Sequence, residues 1–470
     1  MMQLISIQRA LKEQLQCYPT KNLVIACSGG VDSLVLLYEV ASLVKAKVIK
    51  NKITVCYVNH GLSEHAVTWH NFVQQHCHKL SLAFIGKRVH IDKNANQSLE
   101  AQARDARYRA LYDVAGNKGI VITAHHQDDQ IETFFLALKR GSGLKGLSSM
   151  STYGSLQTES GSLALLRPLL TISRQCIEDR AKALSLEWVE DESNLDQQFD
   201  RNFLRQTIIP MLAQRWPGIG QSIARTTEHC QDAQQLIDDV ASNDLHQCLN
   251  QDNELDVKKL LTLSSSRFNY VIRYYLNQHH QLMPSSQVLA QVKKQLSASG
   301  DKTPQVKVGN KWFRRFQNKL MLTDDFADLS SWQGIVDIAK LKQAPLLILL
   351  PDNVGKLSLS ISNSDEAKLP ADNITCLFIP DKIEQLSIQF NHNNPTCLPD
   401  YRQHSRSLKK IFQELKIAPW QRKRVPLIFE QETLIAALGQ FTCQPYTAKC
   451  AGTDGIIKLN VHWLASDNSG

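Results

Sequence analysis

The sequence predicts an α/β fold in which helices cover both faces of a parallel sheet. Strand and helix patterns alternate over residues 1–150, and such alternation is typical of parallel strands joined by helices. A turn of small residues, Ser28-Gly29-Gly30, follows the first strand and leads into a helix. Polar residues also follow the second and fourth strands, at the edge of the sheet where ligands bind in such folds.

Each element of this region has its own pattern. The strand candidates are short apolar runs, and the helix candidates carry apolar residues at intervals of three and four. The predicted strands are residues 23–27, 53–58, 82–89 and 120–124, and the predicted helices are residues 34–44, 64–80, 98–115 and 128–139. We then expect a surface loop at residues 150–162, a helical continuation at 165–210 and a boundary at Trp216-Pro217-Gly218.

The rest of the chain divides into a helical part and a small α+β module. Helical spacing runs over residues 219–298, and two short strands are expected around Gly309-Asn310 within residues 305–323. A small α+β module follows from about residue 380. The predicted domains are therefore residues 1–217, 218–325 and 380–470, with an ill-defined connecting region at 326–379.

Composition excludes several classes of protein. The 470 residues are 43% hydrophobic and 21% charged, as in globular proteins, and the length suggests about three domains. No apolar run approaches the ~20 residues that cross a bilayer, and the N-terminus lacks a signal-peptide pattern, so we expect a cytoplasmic protein. The 11 cysteines include no CxxC pair, which favours reduced thiols over disulfides or structural zinc.

The segment from Ser28 to Ser33, SGGVDS, has the properties of a phosphate-binding loop. Its glycines allow main-chain N–H groups to approach an anion, and the helix start that follows adds free N–H donors. Asp32 would repel bare phosphate, which suggests a Mg²⁺ ion or a hydrogen-bonding role. The segment matches neither GxxxxGK(S/T) nor GxGxxG, and an ordinary strand-to-helix turn is the alternative.

Two helical segments carry further candidates for catalysis. His125, Asp128 and Glu132 recur at helical spacing at the start of one helix, where carboxylates could hold Mg²⁺ or orient a base. Arg104 and Arg107 lie one turn apart on another helix and could stabilise a phosphate or hold RNA. Complementation of a helix dipole and a salt-bridged helix surface are the structural alternatives.

Positive charge is concentrated in two segments of the C-terminal half. The net charge is only +8, but residues 302–322 carry six basic residues and no acidic one, and residues 401–425 carry eight against Glu414 alone. Such clusters fit a polyanion larger than ATP, and a solvated face is the alternative. The interleaved aromatic residues have the spacing of core positions more than of base-stacking platforms: Trp312, Phe313, Phe316, Phe412 and Trp420.

Several motifs together resemble the tRNA(Ile)-lysidine synthetases, a family of N-type ATP pyrophosphatases with a PP-loop. They are SGGVDS (28–33), VNHGL (58–62), EAQARDARYRAL (100–111), AHHQDDQIET (124–133), LKRGSGLKGLSSM (138–150), RPLL (167–170), EDESNLDQQFDRNFLR (190–205) and RWP (215–217). The resemblance covers nearly all of residues 20–217 and is looser in KWFRRFQNKLMLT (311–323) and SLKKIFQELKIAPWQRKRVPLIF (407–429). It implies a Rossmann-like catalytic domain of the adenine nucleotide alpha hydrolase type, a helical substrate-binding domain and a C-terminal α+β tRNA-binding domain.

The resemblance also implies an activity. Such an enzyme uses ATP to activate the 2-carbonyl of the wobble cytidine in the CAU anticodon of an isoleucine tRNA. The ε-amine of free lysine then displaces AMP to form lysidine, which changes decoding from AUG to AUA and the charging identity from methionine to isoleucine. The implied cofactors are ATP and Mg²⁺, the implied partners are tRNA(Ile) with a CAU anticodon and L-lysine, and a homodimer is expected.

The residues that match the family take their implied roles from it. The implied ATP-binding residues are Ser28, Gly29, Gly30, Val31, Asp32, Ser33, Asn59, His60 and His125, and Asp32 is also the candidate Mg²⁺ ligand. The implied catalytic residues are Asp32, Arg104, Arg107, Asp128 and Asp129. Asp128 and Asp129 would receive the ammonium of lysine or help to deprotonate it. The implied tRNA-binding residues are Arg201, Asn202, Arg205, Arg314, Arg315, Lys409, Lys410 and Arg422.

Two other functions stay open at this point. A tRNA thiolase would use the same ATP chemistry, although the missing CxxC pair disfavours it. A non-catalytic RNA- or nucleotide-binding module could keep the loop for structure. The retained charged residues disfavour that alternative: Asp32, Arg104, Arg107, Asp128 and Asp129.

Overall fold

A computed structural model shows two compact units, residues 1–240 and 241–470. The structure describes residues 2–61, 63–91, 99–158, 160–192, 196–251, 253–297, 304–361, 374–448 and 455–465. Within these ranges, no helix combines the length and the apolar character needed to cross a membrane. Every cysteine within them is unpaired, and Cys450 lies outside them.

A six-stranded sheet organises the first unit. Its strands are β1 (Leu23–Ala26), β2 (Ile53–Asn59), β3 (Ala83–Arg88), β4 (Ile120–Ile122), β5 (Tyr153–Thr158) and β6 (Gly161–Leu166). They lie in the order β3-β2-β1-β4-β6-β5, and every neighbouring pair is parallel except β5 with β6. The predicted parallel sheet is confirmed, with an antiparallel strand added at one edge.

Helices lie on both faces of this sheet. The helices up to residue 248 are α1 (Met2–Gln16), α2 (Val31–Lys45), α3 (Ala66–Lys79), α4 (Leu99–Ala115), α5 (Gln127–Lys139), α6 (Leu144–Leu147), α7 (Arg174–Ala183), α8 (Asp200–Phe203), α9 (Ile209–Arg215) and α10 (Ile219–Cys248), with a π-helical turn at Leu204–Ile208. Side chains alternate along β1: Leu23 and Ile25 share a core with α1, α2 and α7, whereas Val24 packs with Tyr108 and Leu111 of α4. The sheet therefore separates α2 from α4.

Residues 150–162 form most of a hairpin and are not the surface loop that we expected. β5 and β6 pair from Tyr153 with Leu166 to Thr158 with Gly161. β5 is an edge strand whose side chains are exposed or half-buried, so it stays in the sheet with few apolar residues. The stretch expected to be a helical continuation, 165–210, consequently begins inside β6.

The other predicted elements of this unit are present with shifted ends. α2 begins at Val31, three residues before the apolar helical pattern, because Gly30 takes the extended conformation of an N-cap residue. α4 starts at Leu99 in the described residues, and its predicted start at Ser98 lies outside them.

In the second unit, residues 255–324 combine helices with an antiparallel sheet. The helices are α11 (Val257–Thr262), α12 (Ser265–Gln278) and α13 (Ser286–Ser297), and the strands are β7 (Leu255–Asp256), β8 (Gln305–Val308), β9 (Lys311–Phe316) and β10 (Lys319–Asp324). Phe268 of α12 and Leu289 of α13 share a core with Phe313 of β9. Where we expected two strands around Gly309-Asn310, three are present, because Gln317, with φ of 55°, begins a second reversal.

The remainder of the second unit is a β-rich module. Its strands are β11 (Gln333–Asp337), β12 (Leu346–Leu350), β13 (Gly355–Ile361), β14 (Ile374–Pro380), β15 (Gln385–Gln389), β16 (Thr396–Cys397), β17 (Arg406–Ser407), β18 (Leu427–Glu430), β19 (Thr433–Ala437), β20 (Phe441–Thr442) and β21 (Ile456–Leu464). Its helices are α14 (Ile338–Leu341), α15 (Leu408–Glu414) and α16 (Pro419–Arg422), with a 3-10 turn at Gln444–Tyr446. The two larger sheets have the orders β11-β15-β18-β19-β20 and β12-β13-β21-β14.

One core of buried side chains extends from Leu329 to Val461 in this module. Residues 326–379, which we expected to be a connecting region, contribute β11, β12 and β13 to that core. Their short apolar runs are therefore strands of the C-terminal module.

A buried ion pair ties three helices of the first unit together. Glu39 of α2 is 1% exposed, accepts a hydrogen bond from Gln8 of α1 (2.9 Å) and pairs with Arg180 of α7. A buried charge that loses its partner destabilises a fold strongly.

We expect Glu39→Ala to lower the free energy of unfolding of the first unit by about 3 kcal/mol, because Arg180 would remain partly buried and unpaired. Glu13→Ala is the matched control, since its pair with Arg9 is exposed and worth about 0.5 kcal/mol or less. Thermal unfolding followed by circular dichroism measures both variants. Equal, small losses would show that the buried pair contributes little.

Candidate active site at the carboxyl edge of the parallel sheet

The turn after β1 has the geometry of an anion-binding loop. Gly29 adopts a φ of +90°, and its carbonyl accepts a hydrogen bond from the N–H of Val189 (3.1 Å). A Cβ at Gly29 would lie 2.8 Å from Cγ2 of Val189, so only glycine fits here. Ser33 closes the turn by donating to the carbonyl of Gly30 (2.9 Å). Since α2 begins directly after Gly30, the turn adjoins the free N–H groups of a helix start.

Asp32, in the first turn of α2, lies next to the start of α5. Its Oδ1 is 3.7 Å from Nε2 of His126, is buried, and has no hydrogen-bond partner in the described residues. Burial raises the pKa of Asp32, against the opposing influence of His126 and Arg174. An unpartnered buried carboxylate oxygen is costly, which suggests that a ligand or ion completes this position.

His126 holds the start of α5 in a capping box. Its Nδ1 accepts a hydrogen bond from the N–H of Asp128 (3.2 Å), and Oδ2 of Asp129 accepts one from the N–H of His126 (3.0 Å). Because Nδ1 is an acceptor, the proton of the neutral ring lies on Nε2, which is 3.7 Å from Asp32 and 3.4 Å from Asp129. His126, only 1% exposed, therefore fixes Asp129 at the start of α5 and leaves the oxygen of Asp32 unpartnered in the described residues.

Glu132 is the most enclosed of the four carboxylates at this site. Its side chain is 0% exposed and pairs with Nε of Arg205 (2.6 Å) and Nε of Arg201 (3.2 Å). Arg205 also reaches Oδ1 of Asp129 (3.4 Å). Burial raises the pKa of Glu132, although Arg205 opposes it. These pairs fix α8 and the π-helical turn to α5.

A second group of polar side chains lies on the α4 side of the same edge. Nε of Arg107 donates to Nε2 of His60 (3.2 Å), and the pKa of His60 is lowered to about 4 by burial and by Arg107. Nδ1 of His125 lies 2.7 Å from Oγ1 of Thr123, and burial is the main reason that its pKa is also lowered to about 4. Both imidazoles are therefore uncharged at pH 7.

The sequence-predicted residues of the first unit lie at the ends of three neighbouring strands. The SGGVDS turn follows β1, Asn59 and His60 end β2, and His125 follows β4. Asn59 shapes its own turn, since its Oδ1 accepts a hydrogen bond from the N–H of Gly61 (2.7 Å). Asn202 is buried and donates to a main-chain carbonyl (2.8 Å), while Arg201 and Arg205 are ion-paired with Glu132 as described above.

Arg314, which we predicted from sequence to bind tRNA, is enclosed by aromatic rings. It is 7% exposed and donates to the carbonyl of Asp324 (3.0 Å). Its Cζ lies between 4.9 and 5.7 Å from the centroids of three rings: Trp312, Phe326 and Trp420. The structure therefore places this guanidinium inside the second unit, because cation–π contacts and internal hydrogen bonds satisfy it there.

The other predicted RNA-binding residues of the second unit differ in exposure. Arg315 and Arg422 are half-buried, and each donates to a main-chain carbonyl (2.7 and 2.8 Å). Lys409 and Lys410 are exposed on α15. Lys302, part of the first basic segment, lies outside the described residues.

Three residues of the site were not selected from the sequence. His126 caps α5, Arg167 directly follows β6 and is 9% exposed, and the N–H of Arg174 at the start of α7 donates to Asp128 (3.1 Å). Each follows a strand or lies at a helix start, and that position was the signal that could have found them. His126 and Arg167 also belong to motifs quoted above, AHHQDDQIET and RPLL.

Known proteins share this arrangement of domains. Three family models match the chain: the PP-loop domain over residues 3–212, the TilS substrate binding domain over 255–321 and the TilS substrate C-terminal domain over 386–463. The tRNA(Ile)-lysidine synthase of Histophilus somni strain 129Pt is 37% identical over 440 residues, which are 93% of this chain and 99% of that protein. The chain belongs to the tRNA(Ile)-lysidine synthase family.

Two further members of the lysidine synthase family are similar to the same degree. The protein of Vibrio parahaemolyticus is 37% identical over 92% of this chain and 94% of its own length. The protein of Serratia proteamaculans is 37% identical over 90% of this chain and 92% of its own length. The resemblance inferred from motifs is confirmed and extends through the C-terminal half. It favours a lysidine synthase over a tRNA thiolase or a non-catalytic binding module.

We expect Gly29→Ala to weaken the binding of a non-hydrolysable ATP analogue by about tenfold or more. The left-handed φ and the contact with Val189 would together displace the turn. Gly143→Ala is the matched control, since Gly143 has a φ of −74° and open space around its Cβ position. Isothermal titration calorimetry measures both. Native affinity in the Gly29 variant would argue against a phosphate-binding role for this turn.

Proposed function

We propose that this chain uses ATP to join L-lysine to the wobble cytidine of the CAU anticodon of an isoleucine tRNA, forming lysidine. Family membership supports the proposal, and one structural observation carries it. The left-handed turn at Gly29 and the start of α2 lie beside a buried, unpartnered oxygen of Asp32. In the reaction, the 2-carbonyl oxygen of the cytidine attacks the α-phosphate of ATP and diphosphate leaves. The ε-amine of lysine then displaces AMP.

The turn from Ser28 to Ser33 is the proposed site for the β- and γ-phosphates. The free N–H groups at the start of α2 and the hydroxyl of Ser28, which lies 3.4 Å from that of Ser33, are donors suited to a polyanion. Donors that are already in place stabilise the charge that develops on the departing diphosphate. This role explains why a left-handed glycine is needed at position 29.

Asp32 is the proposed contact for Mg²⁺. The described residues contain no group of three or more His, Cys, Asp or Glu side chains able to hold a metal by themselves. Mg²⁺ is commonly held by one or two carboxylates together with substrate phosphates, and the orphan oxygen of Asp32 beside the turn fits that arrangement. Bound there, the ion would neutralise charge on the phosphates of ATP.

Asp128 and Asp129 are the proposed contacts for the lysine substrate. Burial by itself would raise the pKa of Asp129, but His126, His125 and Arg201 together lower it, so this carboxylate stays charged at neutral pH. A carboxylate with a lowered pKa is a poor base and a good partner for an ammonium group. We therefore assign Asp129 to holding lysine. We assign Asp128, with its side chain 34% exposed, to accepting the proton that the amine loses before it attacks.

The exposed basic residues of the two basic segments, 302–322 and 401–425, are the proposed tRNA-docking surface within the described part of the chain. Phosphate contacts of this kind fix the register of an RNA without reading its sequence. Because the proposed substrates are a tRNA, ATP and lysine, we place the reaction in the cytoplasm. We also propose a homodimer, for which light scattering after size-exclusion chromatography is the test.

The decisive assay mixes purified protein with ATP, Mg²⁺, labelled lysine and a CAU-bearing isoleucine tRNA. We expect label to enter the RNA only when ATP is present. Asp32→Asn should slow this transfer by about 100-fold or more, because the charge beside the phosphate site is lost. Asp113→Asn, an exposed change on α4, is the matched control and should keep native activity.

Two outcomes would contradict the proposal. Sulfur incorporation without lysine would identify a thiolase. Binding of RNA or ATP with no turnover under any condition would identify a non-catalytic module.

We expect charge reversal at Lys409 and Lys410 to raise the dissociation constant for tRNA by about tenfold, while the rate at saturating tRNA changes little. Both lysines are exposed on α15, so the loss should come from phosphate contacts and should shrink as salt is added. Lys340→Glu on α14 is the control for added negative charge in the same unit. Filter binding at several salt concentrations measures all three proteins. Native tRNA affinity in the double variant would exclude these lysines from docking.

A further inference from the structure

Three arginines on the α4 side of the site lack an acidic partner. Arg104, Arg107 and Arg167 form no ion pair in the part of the chain that the structure describes. The arginines on the other side of the site all pair with carboxylates: Arg174, Arg201 and Arg205. The uncompensated positive charge of this site is therefore concentrated on one side of the sheet.

The three guanidinium groups differ in exposure and in their partners. Arg167 is 9% exposed, Nη1 donates to the carbonyl of Ser151 (2.9 Å), and Nε is buried without a partner in the described residues. Arg104 is exposed, and its Cζ lies 5.0 Å from the ring of the buried Tyr108. Arg107 is exposed and donates to His60. Two groups are thus open to a large ligand, and the third has a buried donor that no described residue uses.

The positive charges of these arginines repel one another. Burial lowers the pKa of Arg167, and Arg104 lowers it further, although Tyr108 acts in the other direction. Like charges that are held together cost free energy, and a bound anion would recover it.

We propose that Arg104, Arg107 and Arg167 bind a phosphodiester of the RNA substrate next to the cytidine that reacts. This inference rests on the proposed function, because it takes the tRNA as the ligand. Guanidinium groups suit this role, since their planar N–H forks match phosphate oxygens. The buried Nε of Arg167 is the donor that the phosphodiester would complete.

Two observations favour the RNA backbone over a phosphate of ATP. The turn at Gly29 leads into α2 on one face of the sheet, whereas α4 packs on the other face. The charged groups that act most strongly on Asp32 include none of the three arginines: they are His126, Arg174, Asp129 and Arg205. Arg104 and Arg167 therefore act on His125 and are not among the leading influences on Asp32, the residue beside the proposed diphosphate site.

The test compares Arg104→Gln and Arg167→Gln with Arg9→Gln, which removes an exposed charge from α1. Dissociation constants for the tRNA are measured by filter binding over a range of salt concentrations. We expect each site variant to bind tRNA about tenfold more weakly. The slope of log affinity against log salt should fall by about 1, and affinity for a non-hydrolysable ATP analogue should stay within about twofold of native. The Arg9 variant should match the native protein.

A modified RNA locates the contact. An anticodon stem-loop carrying a neutral methylphosphonate at the linkage beside the wobble cytidine should lose about tenfold in affinity for the native protein. The same modification should change nothing further in Arg104→Gln, since the two changes remove one interaction. Additive losses would place the contact elsewhere and overturn the proposal.

A site variant that loses affinity for the ATP analogue but keeps native tRNA affinity and the native salt slope would also overturn the proposal. The arginines would then bind the nucleotide. If Arg167→Gln fails to fold, as judged by thermal unfolding, Arg104→Gln decides alone, since Arg104 is exposed.

Lysine transfer by the native protein is measured in parallel. An active native enzyme with unaltered RNA binding in the variants overturns only this inference. An inactive enzyme whose RNA binding depends on Arg104 overturns only the proposed function.

Discussion

Glu132 is fully buried, and its ion pairs determine where the polar groups of the site lie. A buried carboxylate without partners would cost several kcal/mol, so Arg201 and Arg205 are held against it. Arg205 also contacts one oxygen of Asp129, and the other oxygen accepts the N–H that begins the capping box of α5. The start of α5 and the segment that follows α8 are therefore fixed relative to each other. The carboxyl edge of the sheet is open, and this network of ion pairs holds the elements that line it in place.

The sheet divides this edge into two electrostatic environments. On the α2 side, carboxylates lie beside a helix start. The carboxylates suit the cations of the proposed reaction, and the helix start suits its phosphates. On the α4 side, the three arginines that form no ion pair with a described residue suit an anion. His125 lies where the two meet, since Asp129 and Arg167 both act on its pKa, and burial keeps its ring neutral. The boundary between the two environments therefore carries no fixed charge at His125 at neutral pH.

The parts of this structure that were predictable from sequence depend on local pattern. Apolar runs located the parallel strands, and the glycines located the left-handed turn between β1 and α2, because both signals lie within a few residues. Phe313 and Phe412, expected in the core from their spacing, are each 1% exposed. The β5–β6 hairpin was missed because an edge strand needs few apolar residues. The burial of Glu132 and Arg314 was missed because it depends on partners distant in the sequence, Arg201 and Arg205 in one case and aromatic rings in the other.

The aromatic enclosure of Arg314 joins two parts of the second unit. Trp312 belongs to β9, whereas Trp420 belongs to α16 of the C-terminal module, and the same guanidinium lies against both rings. Sliding one part past the other would separate a cation from its rings and expose the apolar faces that now shield it. This contact therefore fixes β9 and α16 against each other. Any ligand that touched both would meet them at a single separation.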